Sequence, residues 1–429
     1  MRIPYASRRA ALAGGTAVLL TLALSSQSGA APSQTHRDGG SLVLIGGGLK
    51  ADNAQVYGEI IGRAGGARAR IGVITAASVP ASQDPDADDP GTCGNSECNG
   101  DYYAGLFERH GAADAQWIPV DLDHIPNADS DEVVRQIDSM TGFFFGGGDQ
   151  YRYITTLLHG AAHTDSKVLA AIRAKLAGGA VVAGSSAGAQ IMAGADMVTG
   201  GESYQGLRDG SGPGYFDDPT RLGHLPEGGF GFLGSGLIDT HTGAYGREGR
   251  ALRLAADTGH DRVYALEENT ALVVDRPGHA DERLRVLGPR GVGVFDLRRA
   301  RVTTSARGWS LSGARYSFLT DGDRYDPRRW RTLPAAGKRP FAPGAATPVP
   351  ANTDVFFSAA NPAGVPYSFL NTARALAATG AQRTARATTF EDGPRFTVTF
   401  AKQPGFTSWT DDGVTARTLT ELRIAVAPQ

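Results

Sequence analysis

The sequence of 429 residues has no excess of charge of either sign. Its 42 lysine and arginine residues are matched by 44 aspartate and glutamate residues, which leaves a net charge of −2. Without a basic surplus there is no general electrostatic attraction to nucleic acid or to an anionic membrane, so neither is expected as a partner. The hydrophobic share of 41% is typical of a globular protein, and the length predicts one large domain with an addition.

Cysteine is scarce, and the two cysteines present, Cys93 and Cys98, share one polar loop. No histidine stands near them to complete a zinc site, and neither lies at a strand-to-helix turn where a nucleophile is expected. In an oxidising compartment we expect a disulfide that closes this loop. The aspartate-rich run at 84–90 lacks the glycine and the distal glutamate of an EF-hand, so we expect no metal there.

A long apolar run occurs at the N-terminus, over residues 10–24, directly after the basic pair Arg8-Arg9. Small residues ending at Ala30 follow, as a signal peptidase requires, so residues 1–30 are predicted to be a signal peptide, and the pattern does not fix its cleavage position. A permanent membrane anchor is the alternative interpretation of this run, but the run is short for a segment that spans a membrane. The mature chain is therefore expected to be secreted, either outside the cell or into the cell envelope, by the Sec or the twin-arginine route. Once the signal is cleaved, we expect no attachment to the membrane.

From residue 41 onwards, continuous apolar strands alternate with helical segments, and glycine clusters follow several of the strands. This order predicts an α/β fold, a three-layer sandwich in which helices cover both faces of a mostly parallel sheet. In such folds ligands bind at the carboxyl ends of the strands, which is where the glycine clusters lie.

The chain is expected to divide into a main domain and a smaller C-terminal part. The main domain is predicted over residues 41–326, followed by a linker rich in proline and alanine over 333–351. Residues 352–429 are predicted to form a small α+β appendage with two or three strands and one helix. No chemistry is evident in this segment, and its role stays open.

The stretch Gly184-Ser-Ser-Ala-Gly188 fits the pattern G-x-S-x-G between a short buried strand and a helix start. At such an elbow the central serine, here Ser186, is exposed at the turn, and small neighbours let strand and helix approach closely. The amide of Ala187 then points to the place where an oxyanion would form. A packing turn without chemistry is the alternative interpretation of this pentapeptide.

A serine nucleophile needs a base, and among nine histidines His241 ends a clear apolar strand, predicted over 236–241. Beside an elbow serine from a neighbouring strand, its imidazole is a credible general base. Glu267 and Glu268 end another predicted strand and point to opposite faces, so one of them can receive the second imidazole N–H. Asp239, on the strand of the histidine, is the competing acid.

Two other functions are compatible with parts of this pattern. An α/β-hydrolase esterase shares G-x-S-x-G, but its histidine comes late in the chain and after the acid, whereas here the acid candidates follow His241. A non-catalytic ligand-binding protein on the same scaffold could use the glycine turns to hold a ligand. The turn at 46–50 lacks the Rossmann and P-loop spacings, so it does not predict a nucleotide site.

Five stretches occur in an order that resembles the cyanophycinases and the related dipeptidase E peptidases, over about residues 41–325. They are Gly147-Gly-Asp-Gln150, Gly184–Ala189, Asp239-Thr-His241, Tyr245-Gly-Arg-Glu-Gly-Arg250 and Glu267-Glu-Asn-Thr-Ala271. The resemblance implies a flavodoxin-like fold similar to class I glutamine amidotransferase domains, with serine in place of their cysteine.

The resemblance also implies a role for each matching residue. Ser186 would be the nucleophile, His241 the general base and Glu268 the acid that orients it, with the amides of Gly148 and Ala187 as the oxyanion hole. The implied activity is that of a secreted serine exopeptidase that acts through an acyl-enzyme and requires no metal or organic cofactor.

The substrate implied is cyanophycin or a related aspartyl or β-aspartyl peptide, and the sequence is compatible with a homodimer. The family's substrate pocket corresponds here to Gln150, Asp239, Thr240, Arg247 and Arg250. The arginines make physical sense because guanidinium groups bind carboxylates in a bidentate fork. Thr240 replaces a glutamine of the family and Tyr245 replaces an arginine, and each change removes a polar contact to the substrate.

Overall fold

The computed structural model describes residues 39–344 and 347–429, so the predicted signal peptide at 1–30 lies outside the described residues. Among the described residues, no helix has the length and apolar character needed to cross a membrane. The α-helices of this part of the chain are α1 (Ala54–Arg63), α2 (Ser96–Arg109), α3 (Asp131–Ser139), α4 (Gln150–Leu157), α5 (Lys167–Ala177), α6 (Ala187–Gln190), α7 (Ser203–Asp209), α8 (Glu248–Thr258) and α9 (Ser368–Ala378).

The strands are short in the first half of the chain and longer toward its C-terminus. In chain order they are β1 (Ser41–Ile45), β2 (Arg70–Ile74), β3 (Asp114–Trp117), β4 (Gly142–Phe145), β5 (Leu158–His159), β6 (Thr164–Asp165), β7 (Val181–Ser185), β8 (Met197–Gly200), β9 (Gly212–Pro213), β10 (Gly223–Leu225), β11 (Leu237–Asp239), β12 (Arg262–Leu266), β13 (Ala271–Asp275), β14 (Arg283–Leu287), β15 (Val292–Asp296), β16 (Arg301–Ser305), β17 (Gly308–Leu319), β18 (Arg324–Asp326), β19 (Arg331–Leu333), β20 (Arg339–Pro340), β21 (Thr384–Thr388), β22 (Phe396–Ala401), β23 (Thr407–Thr410) and β24 (Thr418–Pro428).

The first large sheet has the strand order β19-β18-β14-β13-β1-β7-β4-β2-β3. Its strands are parallel from β1 to β3, but β13, β14, β18 and β19 extend it with antiparallel pairs. The sheet is therefore mixed, and the expectation of a mostly parallel sheet was wrong. The reason is that β13 adds to the edge of β1 in the antiparallel direction, with Leu272 opposite Leu44.

Helices cover both faces of the parallel half of this sheet. Along β1 the side chains alternate between two hydrophobic clusters, because successive residues of a strand point to opposite faces. Val43 and Ile45 pack in the cluster with α1 and α2, while Leu42 and Leu44 pack in the cluster with α3, α4 and α5. The parallel half thus has the three layers that the alternation of strands and helices predicts.

A second large sheet has the order β11-β12-β15-β17-β24-β22-β21. On β12, Tyr264 and Leu266 pack in the cluster that includes the first sheet, whereas Val263 and Ala265 face a cluster with α7, α8 and α9. The C-terminal segment 352–429 supplies α9 and the strands β21 to β24. Since β24 pairs with β17, this segment continues the second sheet.

Two smaller predicted features have definite places in the structure. The stretch at 333–351 begins at the last residue of β19 and contains β20, which pairs with β23. Cys93 and Cys98 form the predicted disulfide, with an S–S distance of 2.12 Å. The disulfide joins the loop that precedes α2 to the first turn of that helix. In sequence it lies far from Ser186.

Candidate active site

Ser186 lies on a sharp turn between β7 and α6, with the unusual backbone angles φ 55° and ψ −117°. The glycines around it let three segments meet. A Cβ added at Gly184 would come within 2.1 Å of the carbonyl oxygen of Gly188, and one at Gly188 within 2.0 Å of the carbonyl oxygen of Phe145. The small residues of the motif are thus required by close backbone contact, and the turn holds the serine in a strained, outward position.

Three predicted side chains lie in one hydrogen-bonded row. The Oγ atom of Ser186 is 2.7 Å from Nε2 of His241, and Nδ1 of His241 is 2.8 Å from Oε1 of Glu268. His241 follows β11 and Glu268 follows β12, which are adjacent parallel strands of the second sheet. The serine therefore comes from one sheet, and the histidine and the glutamate come from the other.

The structure also distinguishes the acid candidates that the sequence left open. Glu267 points away from the imidazole, is only 2% exposed and accepts hydrogen bonds from the backbone N–H of Gly243. Asp239 forms a buried ion pair with Arg250, with N–O distances of 2.8 and 2.6 Å. Glu268 is thus the carboxylate that contacts His241.

The imidazole is set to be neutral at neutral pH. Burial lowers the pKa of His241 below its ordinary value; its hydrogen bond to Glu268 raises the pKa, and the positive charge of Arg247 lowers it further. The net shift is downward, because burial penalises the charged imidazolium. A neutral imidazole whose Nδ1–H is donated to Glu268 leaves Nε2 free to accept the proton of the Ser186 hydroxyl.

A cavity of about 280 Å³ opens beside the serine. Its lining includes Ser186, His241 and both residues predicted for an oxyanion hole, Gly148 and Ala187. Other lining residues are Gln150, Gln190, Val198, Thr199, Gly200, Thr240, Tyr245, Arg247 and Arg250. The cavity can hold a small polar group of a substrate next to the serine hydroxyl.

Known proteins similar to this chain are peptidases. Residues 108–279 match the sequence model of peptidase family S51. Cyanophycinase from Nostoc sp. is 26% identical over 300 residues, which cover 68% of this chain and 87% of the relative. Cyanophycinase from Synechococcus elongatus is 28% identical over 306 residues, covering 68% and 82%. The chain is a serine-type peptidase, related to the cyanophycinases.

A solved structure of a peptidase from an acI-B1 Actinobacterium is also similar to this peptidase. It superposes with a TM-score of 0.41 and 19% identity, over 60% of this chain and 91% of the other.

The residues predicted to bind substrate differ in how many of their polar groups already have a partner within the protein. In the peptidase, Asp239 and Arg250 are engaged with each other, and Gln150 donates to the backbone carbonyl oxygens of β8 at 3.2 and 3.3 Å. Arg247 donates only to the carbonyl oxygen of Thr240, at 3.0 Å, and forms no ion pair with a described carboxylate. Burial, together with the charge of Arg250, lowers the pKa of Arg247 to about 10. Arg247 is therefore the cationic group of the cavity best placed to bind an incoming carboxylate.

Sequence reasoning missed the part that the first glycine turn, Gly46–Gly48, has in the site of the peptidase. The amide of His241 donates to the carbonyl oxygen of Gly46 at 2.7 Å, and that of Asn269 to Gly47 at 2.7 Å. A Cβ at Gly47 would lie 2.1 Å from the ring of His241. The signal was present as a run of three glycines after β1, but only the fold shows that this run touches the histidine.

Tyr245 is a second residue whose position the sequence did not predict. Its ring stacks on that of His241, with a centroid distance of 4.7 Å and an interplanar angle of 2°. Arg247 lies over the Tyr245 ring at 4.8 Å. Tyr245 thus adds an aromatic support for the histidine of this peptidase.

Within residues 39–344 and 347–429, no group of three or more histidine, cysteine, aspartate or glutamate side chains is arranged to hold a metal ion.

Proposed function

We propose that this peptidase hydrolyses cyanophycin or related aspartyl and β-aspartyl peptides through Ser186, His241 and Glu268. The observation that carries the proposal is the continuous hydrogen-bonded row from the serine Oγ to the glutamate Oε1, with distances of 2.7 and 2.8 Å. A serine, a base and an orienting acid in this arrangement are what acyl transfer requires.

In the proposed mechanism the neutral imidazole of His241 accepts the proton of Ser186 as Oγ attacks the carbonyl carbon of the substrate. The negative charge that develops on the carbonyl oxygen is stabilised by the amides of Gly148 and Ala187. Glu268 holds the Nδ1–H and stabilises the imidazolium. The imidazolium then gives its proton to the leaving amine, and a water molecule, activated by the same histidine, hydrolyses the acyl-enzyme.

The substrate class is supported by the charge of the cavity and by the relatives. Arg247 offers a guanidinium without a carboxylate partner among the described residues, so a free carboxylate of the substrate near the scissile bond would pair with it. The curated relatives are cyanophycinases, whose name identifies cyanophycin as their substrate. We further propose that the chain is exported, on the basis of the N-terminal pattern and the disulfide.

Product analysis tests this proposal. The purified chain, incubated with cyanophycin, is expected to release β-aspartyl-arginine, identified by mass. Arg247→Gln should raise KM for an aspartyl peptide by about tenfold or more, because a charge-assisted bidentate contact is lost. Arg208→Gln, which removes a surface arginine paired with its neighbour Asp209, is the matched control. Hydrolysis of a chromogenic ester without cleavage of aspartyl peptides would instead indicate an esterase.

A further inference from the structure

A second cavity, of about 790 Å³, lies on the other side of the glutamate pair that follows β12. Glu268 faces His241, whereas its neighbour Glu267 lines this second cavity. The lining also includes residues of α9 and of the turn between β14 and β15, which contributes Arg290. The C-terminal segment, which has no part in the row of hydrogen bonds, thus contributes part of the lining of this space.

Three arginines line the second cavity, and two of them form no ion pair within the part of the chain that the structure describes. Arg417 is paired with aspartates of its own loop. Arg290 lies over the ring of Tyr367 at 4.2 Å and Arg374 over the ring of Phe318 at 5.1 Å. Neither Arg290 nor Arg374 forms an ion pair with a carboxylate of the described residues, and the buried Nε of Arg374 has no hydrogen-bond partner among them.

The acidic groups of the second cavity form no ion pair with these two cations among the described residues, although the charges of Arg290 and Arg374 act to lower the pKa of Glu267. Asp321 accepts from the side chain of Gln55 at 2.8 Å and from the amide of Gly288 at 2.9 Å. Glu267 accepts from the backbone at Gly243, and burial raises its pKa to about 8. Its carboxyl group is therefore largely protonated at neutral pH and offers little negative charge to the arginines.

We propose that the second cavity is a binding site for a small carboxylate ligand, held by Arg290 and Arg374. Guanidinium groups pair with carboxylates through two parallel N–H···O bonds, and stacking on an aromatic ring fixes the plane of each fork. The cavity is large enough for a dicarboxylate or the free carboxylate of an amino acid or short peptide.

An occupant of the second cavity would contact Glu267 and Tyr367, and both of these residues bind the segment that carries the histidine. The amide of Tyr367 donates to the carbonyl oxygen of Gly243 at 2.7 Å, and Glu267 accepts from the amide of the same glycine at 3.0 Å. Gly243 lies two residues after His241. The site is thus separate from the active-site cavity but shares a backbone turn with it.

Calorimetric titration with sodium succinate tests the proposal, in the full chain carrying Ser186→Ala so that turnover plays no part. Saturable binding is expected above a titration with sodium chloride of equal ionic strength. Arg290→Gln and Arg374→Gln should each raise the Kd for succinate by about tenfold, since each removes a charge-assisted contact. Arg301→Gln is the matched control, because Arg301 is exposed and does not line either cavity.

Arg247→Gln separates the two cavities in the same titration. If succinate binds at the proposed site, this variant retains binding. Absence of saturable binding would overturn the proposal, as would binding that is lost in Arg247→Gln and kept in Arg290→Gln and Arg374→Gln. Because the readout is binding to an inactive variant, failure here leaves the proposed peptidase activity untouched. Melting temperatures without ligand establish that each variant is folded.

Discussion

His241 has a different neighbour at each part of its ring. Ser186 contacts Nε2, Glu268 contacts Nδ1, and Tyr245 covers one face. The carboxylate fixes which nitrogen carries the proton, and the stacked ring limits rotation of the imidazole. The imidazole of His241 is therefore positioned by contacts to both nitrogens and to one ring face, and not by the acid alone.

The pH dependence of kcat/KM should reflect the lowered pKa of His241. A general base must be neutral, so activity falls when the pH drops below its pKa. Since burial lowers that pKa below the ordinary value of 6.5, activity should persist in mildly acidic solution. A pH profile for an aspartyl peptide measures this. An acidic limb that lies above the ordinary value would contradict the assignment.

Replacing the orienting acid should separate the two adjacent glutamates. Glu268→Gln is expected to lower kcat by about 10³-fold or more, because the amide cannot stabilise the imidazolium and favours the wrong tautomer. Glu267→Gln, the matched control, resembles the protonated carboxyl group already present and should cost less than about tenfold. Equal losses in both variants would show that the effect is structural.

Glu267 and Glu268 also show which features of single residues the sequence could predict and which it could not. Alternation along a strand predicts that Glu267 and Glu268 face opposite ways, but not which face meets the histidine. That choice depends on how β12 sits beside β11 in the second sheet, a contact between distant parts of the chain. Ser186, in contrast, could be found locally, because its motif encodes its own turn.

At the scale of elements, the turn Gly46–Gly48 connects the two sheets at the site. It accepts hydrogen bonds from segments that follow both β11 and β12, and Ser186 donates its amide to Ile45 just before it. Glycine is required at position 47, where φ is +99° and a side chain would strike the imidazole. The turn therefore sets the distance between the serine and the base.

Gly47→Ala should consequently damage catalysis more than folding. The added methyl group would displace His241, so kcat is expected to fall by about 100-fold or more, as for other displacements of about 1 Å. Gly58→Ala is the matched control, because its Cβ meets nothing within 4 Å on α1. It should raise the free energy of unfolding by about 0.5–1 kcal/mol. Unchanged kcat in Gly47→Ala would refute this role of the turn.

The sheets show what the sequence could not settle at this scale. Fully buried strands are apolar on both faces whether their neighbours run parallel or antiparallel. The sequence of β13 therefore has the same apolar pattern as that of β1. The sequence pattern therefore predicted a mostly parallel sheet and could not show that β13 joins the edge of β1 in the antiparallel direction. Nor could it predict that His241 and Ser186 belong to different sheets.

At the scale of the whole molecule, residues 39–429 are expected to unfold as one cooperative unit, since β24 of the C-terminal segment lies inside the second sheet. Ile424 on β24 is fully buried. Ile424→Ala should lower the free energy of unfolding of the entire chain by about 2–5 kcal/mol. Arg423→Ala, at the exposed neighbouring position, should change it by about 0.5 kcal/mol or less. A separate early transition of the C-terminal segment alone, seen by calorimetry, would contradict this.

The central claim is that the hydroxyl of Ser186 performs the chemistry, and adjacent serine variants test it most directly. In an assay of aspartyl peptide hydrolysis, Ser186→Ala should lower kcat by about 10⁶-fold with the fold intact, as judged by its melting temperature. Ser185→Ala, at the buried last position of β7, should stay within about tenfold of the unaltered chain. Substantial hydrolysis by Ser186→Ala would contradict the account.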